Sequence, residues 1–161
     1  LLLRQQDGSF QEVGLRAGVG NMDRSRGAAL VDLDLDGRLD IVVVNRRANA
    51  EILHNQSDES GHWLQVALHQ GGGNVNAIGA WIEVRAEDEI WRQEVVIGGG
   101  HASGQSGWHH FGLGGEDDAE IRVQWPDGMW SAWQPAGSDR FITLTRDGYT
   151  VSATFGPGGA S

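Results

Sequence analysis

Short apolar runs that alternate with polar residues, each closed by a turn dipeptide, are what most restrict the fold of this chain. Leu64, Val66 and Leu68 fall on one side of an extended segment, with Gln65, Ala67 and His69 on the other. Ile82 with Val84, and Ile121 with Val123 and Trp125, repeat the pattern. A period of two belongs to a strand packed on one face, not to a helix. Asp7-Gly8, Asp36-Gly37, Pro126-Asp127-Gly128 and Asp147-Gly148 separate such runs, and these residues favour the backbone of tight turns. No long stretch keeps a helical period, so the chain is expected to be all-β.

Strands are predicted over residues 28–33, 40–45, 51–54, 62–69, 80–86, 90–97, 108–113, 119–125, 140–145 and 149–155. Ile41 to Val44 is apolar without alternation, which predicts a strand buried on both faces. Arg146-Asp147-Gly148-Tyr149 reads as a two-residue hairpin between the last two strands. The polar stretch 56–61 is the natural boundary, and the glycine-rich end, 156–161, reads as a tail. The expected organisation is therefore 1–58, 59–146 and 147–161, the last holding one strand and the tail.

Composition narrows the function. With 161 residues, 39% of them apolar, a packed core is feasible. Cysteine is absent, which removes disulfides, thiolate metal sites and cysteine nucleophiles, and favours a bacterial or calcium-stapled module. Twenty-two acidic residues against 12 basic ones give a formal charge of −10. That balance repels nucleic acid and anionic membranes and suits cations or neutral ligands. No apolar run is long enough to insert across a bilayer as a helix. The start, Leu1-Leu2-Leu3-Arg4, has no initiator Met or leader pattern, so the chain is expected to be a piece of a longer protein.

Residues 32–40 read D-L-D-L-D-G-R-L-D. Calcium takes six to eight hard oxygen ligands, and carboxylates at every second residue can converge when such a loop curls. Asp32, Asp34 and Asp36 would stand at loop positions one, three and five, the Arg38 carbonyl at seven and Asp40 at nine. Gly37 permits the sharp turn. Position twelve is Val43, where an EF-hand needs a bidentate Glu, so this is another kind of loop. A pliable, carboxylate-rich site favours Ca2+ over magnesium. Zinc is disfavoured because no His or Cys joins the cluster in sequence.

The string around the loop, R-G-A-A-L-V-D-L-D-L-D-G-R-L-D-I-V-V-V-N from Arg26 to Asn45, closely resembles the FG-GAP or VCBS calcium-loop repeats, the blades of integrin-type propellers. Further on, His62-Trp63-Leu64-Gln65-Val66, Ala77-Ile78-Gly79-Ala80, Gly98-Gly99-Gly100, His110-Phe111-Gly112-Leu113-Gly114 and Trp125-Pro126-Asp127-Gly128 together resemble the ASPIC/UnbV domain. That domain follows such repeats in cartilage-acidic-protein-like proteins. The resemblance implies an exported or surface protein with calcium-stabilised blades, and carries over Asp32, Asp34, Asp36, Arg38 (backbone) and Asp40 as ligands. One departure stands out. Where the family has an aromatic residue and then a Ser-Gln pair after the glycine run, this chain has His101-Ala102-Ser103-Gly104-Gln105.

Seven Trp residues accompany one Tyr. Trp63, Trp81 and Trp125 lie in expected strands and read as core. Trp130 and Trp133, in a poorly patterned stretch, are the candidates for an exposed, glycan-stacking pair. His109 and His110 are adjacent on a strand, so one is expected to be buried and the other solvated. No nucleophile, base and orienting group are grouped by any pattern. The expected architecture is a β-sandwich or barrel-like domain joined to a propeller-blade-like hairpin that carries the calcium loop. The expected function is a non-catalytic, calcium-stabilised binding or adhesion module, secreted or on a cell surface, with a protein or surface partner. Two alternatives stand beside it, a glycan-binding module using Trp130 and Trp133 and an accessory domain of a larger enzyme.

Overall fold

The computed structural model describes residues 1–5, 7–20, 24–57, 61–101, 103–148 and 150–155. The expected boundary at 58–59 and the tail at 156–161 lie outside the described residues. The described chain is all-β, and no helix in it is long and apolar enough to cross a membrane.

Two four-stranded sheets carry the core. One is ordered β13-β12-β6-β9, from β6 (His62–Gln70), β9 (His109–Gly114), β12 (Arg140–Asp147) and β13 (Thr150–Phe155). The other is ordered β11-β10-β7-β8, from β7 (Trp81–Ala86), β8 (Glu89–Glu94), β10 (Glu120–Gln124) and β11 (Gln134–Pro135). The alternation read from the sequence decides what lies between them. Leu64, Val66, Phe111, Ile142 and Leu144 from the first sheet join Ile82, Val84, Ile121 and Val123 from the second in one buried cluster. This is a β-sandwich. β6 and β12 run parallel at the centre of their sheet, Leu64 opposite Arg140 and Leu68 opposite Leu144. Parallel neighbours need a long crossover, and here β7 to β11 provide it.

Two smaller sheets precede the sandwich. β1 (Leu2–Arg4) pairs with β2 (Phe10–Glu12), and β3 (Ser25–Val31), β4 (Asp40–Asn45) and β5 (Glu51–Leu53) form a three-stranded antiparallel sheet. The aspartate loop joins β3 to β4. β1, β2 and β11 are too short to show a period, which is why they were not legible in the sequence.

Several expectations need correction. Ile41, Val42 and Val43 are half-buried and Val44 is 54% exposed, so β4 is not buried on both faces. Its apolar run reflects a three-stranded sheet whose faces the described chain covers only in part. Trp63 and Trp125 are buried, but Trp81 is half-buried and lies outside the core cluster. His109 and His110 do not divide into one buried and one solvated ring; both are half-buried. His109 sits beside Leu68 and Val95 at the edge of the sandwich, whereas His110 stacks over Trp63 at 6.4 Å. The last hairpin pairs Asp147 with Thr150, one residue further along than the sequence suggested.

Leu64 has no exposed surface and is surrounded by both sheets. Leu64→Ala is expected to lower the unfolding free energy by about 2–5 kcal/mol, read from the midpoint of a urea transition.

Candidate metal centre and its seat on the sandwich

β3 ends at Val31 and β4 begins at Asp40, and the carboxylates of the loop between them fold its backbone. Asp32 Oδ1 accepts the Asp36 N–H at 3.0 Å, and Oδ2 accepts that of Gly37 at 2.9 Å. Asp36 Oδ1 accepts the Arg38 N–H at 2.8 Å. Asp40 closes the loop, its Oδ2 accepting from Leu33 N at 3.2 Å and its Oδ1 from Asn55 N at 2.8 Å. The Asn55 N–H first, then the Leu33 N–H and the His54 ring, hold the Asp40 carboxyl below the usual carboxylate range, against the opposing effect of burial. Asp32 and Asp40 are buried, Asp36 is half-buried and Asp34 is exposed.

One oxygen each from Asp32, Asp34 and Asp36 lies within 4.8 Å of the others. Like charges brought this close repel unless a cation or hydrogen bonds offset them. Arg38 supplies part of the offset: its guanidinium is ion-paired with Asp36 and its Nε donates to the Asn55 carbonyl at 3.0 Å. A further neighbour of the carboxylates is a residue that the sequence reading did not place there. His54 Nδ1 lies 3.1 Å from Asp40 Oδ1 and its Nε2 3.9 Å from Asp34 Oδ2. Asp34, Asp40 and His54 form a second triad with ligand atoms within 4.8 Å, sharing Asp34 with the first. The expectation that no His joins the cluster is thus corrected. Residue 54 follows β5, and only the pairing of Ile41 with Leu53 brings it alongside residue 40.

The loop is seated on the outer face of β6. Gln65, on the side of the strand opposite Leu64 and Val66 as read from the sequence, is 2% exposed, and its Nε2 donates to Asp32 Oδ2 at 2.6 Å. Gly37 has φ +89° and lies so close to Trp63 that a Cβ there would fall 1.9 Å from the indole Nε1. Trp63 meets Phe141 edge-on at 5.2 Å. Beside this seat, Arg38, Asn55, His62, Trp63 and His110 line an open cleft of about 340 Å3.

On the outer face of the other sheet, Trp130 and Trp133 are brought together, as part of a longer stack. The Arg122 guanidinium lies 4.4 Å from each of their ring centroids. Arg85 covers Trp133 at 4.5 Å, and Arg92 covers Trp81 at 4.2 Å and approaches Trp130 at 6.0 Å. Glu83 accepts from Arg122 Nε at 2.7 Å and lies 3.7 Å from Arg92 Nε. Arg92, Glu83 and Arg122 stand directly opposite one another across three strands. Each cation–π pair is worth about 0.5–1 kcal/mol at exposed sites. Trp130 remains 41% exposed within this stack. The signal was present in the sequence as Trp81, Arg85, Arg92 and Arg122 on strands. Reading it required the register between β7, β8 and β10.

The family model described as ASPIC and UnbV matches residues 70–150, half of the chain. The chain belongs to the ASPIC/UnbV family. Its ASPIC/UnbV segment covers most of the sandwich and leaves the aspartate loop outside the match. Cartilage acidic protein 1 of Mus musculus is 28% identical over 109 residues, covering 65% of this chain and 17% of that protein. The Xenopus tropicalis and Homo sapiens proteins of the same name are 29% and 27% identical over the same length. This ASPIC/UnbV chain therefore spans about a sixth of the curated relatives it matches. A solved structure from Bacteroides uniformis, provisionally described as a cell adhesion protein, aligns over 88% of the chain and 68% of its own length. Its TM-score of 0.36 and 13% identity are too slight to bear on fold or function.

Gly37 and Gly128 both have positive φ, +89° and +85°, but only Gly37 has anything in the way of a Cβ. Gly128→Ala is expected to cost about 1–2 kcal/mol from backbone strain alone. Gly37→Ala should cost that and a further ~1–3 kcal/mol from overpacking against Trp63, which parallel urea unfolding of the two variants measures.

Burial holds His109 and His110 below the ordinary imidazole value of 6.5, with Asp32 pulling His110 weakly the other way. The unfolded chain therefore takes up these protons first as pH falls. Stability should be fully present above pH 6.5 and decline as pH drops from 6.5 towards the lower folded values. A titration of unfolding free energy against pH should show this decline, and His109→Gln should make it shallower.

Proposed function

We propose that this chain is a calcium-stabilised binding or adhesion module, exported or held at a cell surface, with no catalytic activity of its own. The observation that carries the reading is the gathering of Asp32, Asp34 and Asp36 oxygens within 4.8 Å on a loop seated against the sandwich. Hard, anionic oxygen donors on a loop closed by backbone hydrogen bonds suit a large divalent cation. Asp32 Oδ1, Asp36 Oδ1 and Asp40 Oδ2 each accept one backbone hydrogen bond and so keep lone-pair capacity for a cation. Asp32, Asp34, Asp36 and Asp40 are the proposed side-chain ligands, with the Arg38 carbonyl as a fifth. The calcium ion would offset the mutual repulsion of the carboxylates and fix the entry of β4 into its sheet.

The FG-GAP or VCBS character of residues 26–45 belongs to this proposal, as does the outside location. The absence of cysteine and the strong acidity fit a module stabilised by cations, not disulfides. A protein or surface partner is favoured over a glycan because Arg85, Arg92 and Arg122 stack on the tryptophan rings. The name of the curated relatives, cartilage acidic protein 1, fits an acidic protein of this kind.

Calorimetric titration of the chelator-stripped protein with calcium tests the reading, run beside Asp34→Ala and with zinc as a second arm. The expected result is one calcium site in the parent, lost in the variant. Stabilisation should grow with calcium, reaching about 2.7 kcal/mol at a hundredfold excess over Kd. No heat at millimolar calcium contradicts the proposal, and tight binding of zinc alone would move the ion to Asp34, Asp40 and His54.

A further inference from the structure

The aspartate loop is held by atoms that belong to the sandwich. Gln65 is in the middle of β6 and almost wholly withdrawn from water, yet its amide leaves its own sheet to donate to Asp32 Oδ2 at 2.6 Å. With the Asp36 and Gly37 N–H groups on the same carboxylate, three donors fix its orientation. The next residue but one, Trp63, presents its indole edge to the Gly37 backbone, where no Cβ fits. Trp63 is itself packed against Phe141 at 5.2 Å and His110 at 6.4 Å, so the surface under the loop is a cluster of aromatic rings.

We propose that Gln65 is a positioning residue of the cation site, and that ion occupancy and the seating of the loop on Trp63 are one coupled equilibrium. This rests on the calcium reading above. Partners that orient a ligating carboxylate commonly contribute 10–100-fold to metal affinity. Coupling is reciprocal: if the sandwich orients Asp32 for the cation, the cation tightens the loop against the sandwich. The two modules then form one unit whose junction depends on calcium. If Gln65 merely satisfied a buried carboxylate, its loss would alter stability and leave cation affinity where it was.

The test uses the full 161-residue chain, labelled with 5-fluorotryptophan and stripped with chelator. Calcium chloride is titrated into it by calorimetry and by fluorine NMR. The Trp63 resonance is assigned through Trp63→Phe, or by elimination among the other tryptophans should that variant not fold. Calcium is expected to shift Trp63 saturably while Trp81, Trp130 and Trp133, on the far sheet, stay still. Gln65→Leu, with its fold checked by the same spectrum, is expected to bind calcium about tenfold or more weakly. Calcium binding with an unmoved Trp63 overturns the coupling and leaves the calcium site standing. Unchanged affinity in Gln65→Leu overturns the role of Gln65. The absence of any calcium heat in the parent removes the site itself and this inference with it.

Discussion

Asp32 is a carboxylate with 6% of its surface exposed, and its side-chain oxygens accept from the loop backbone and from a strand of a different sheet. An ionised group so withdrawn from water is tolerated only when its lone pairs are met. Meeting them draws the 36–37 turn inward, brings Gly37 onto the Trp63 indole and places Gln65 under the loop. The seat in turn fixes where β4 begins, because Asp40 ties the loop to Asn55 beyond β5. The three-stranded sheet, the loop and the sandwich thus meet at one carboxylate and one aromatic ring, and Leu30 N of β3 adds a hydrogen bond to Gln105 Oε1 at 3.3 Å.

The two faces of the sandwich have different tasks. Its interior is apolar and follows strict alternation, so stability there comes from burial, at about 25 cal/mol per Å2 of apolar surface. Its outer faces carry polar chemistry that alternation alone would assign to solvent. On β6 that face holds Trp63 and Gln65 and receives the loop. On β7, β8 and β10 it holds Arg92, Glu83 and Arg122 in a row, with guanidinium groups interleaved among tryptophans.

The interior of the fold was legible in the sequence because it is written in local period. Leu64, Val66 and Leu68, and Ile121 and Val123, fall where alternation puts them, and β4 begins and ends at the expected residues. The aspartate loop was legible because its spacing is local as well. What was hidden depends on register between distant strands. His54 reaches Asp40 only because Ile41 pairs with Leu53, and the burial of Gln65 follows only once the loop is placed over it. β4 misled in the opposite direction. Its apolar run implied two covered faces, and Val44 is exposed because the described chain does not cover both.

Native-state hydrogen exchange at the Gly37 amide tests most directly whether loop and sandwich are one unit. That N–H donates to buried Asp32 beneath Trp63. The account predicts that, with calcium present, it exchanges as slowly as the Leu64 and Val66 amides of β6, through the same opening. Exchange at the rate of the exposed Asp7-Gly8 turn, while β6 stays protected, would contradict it.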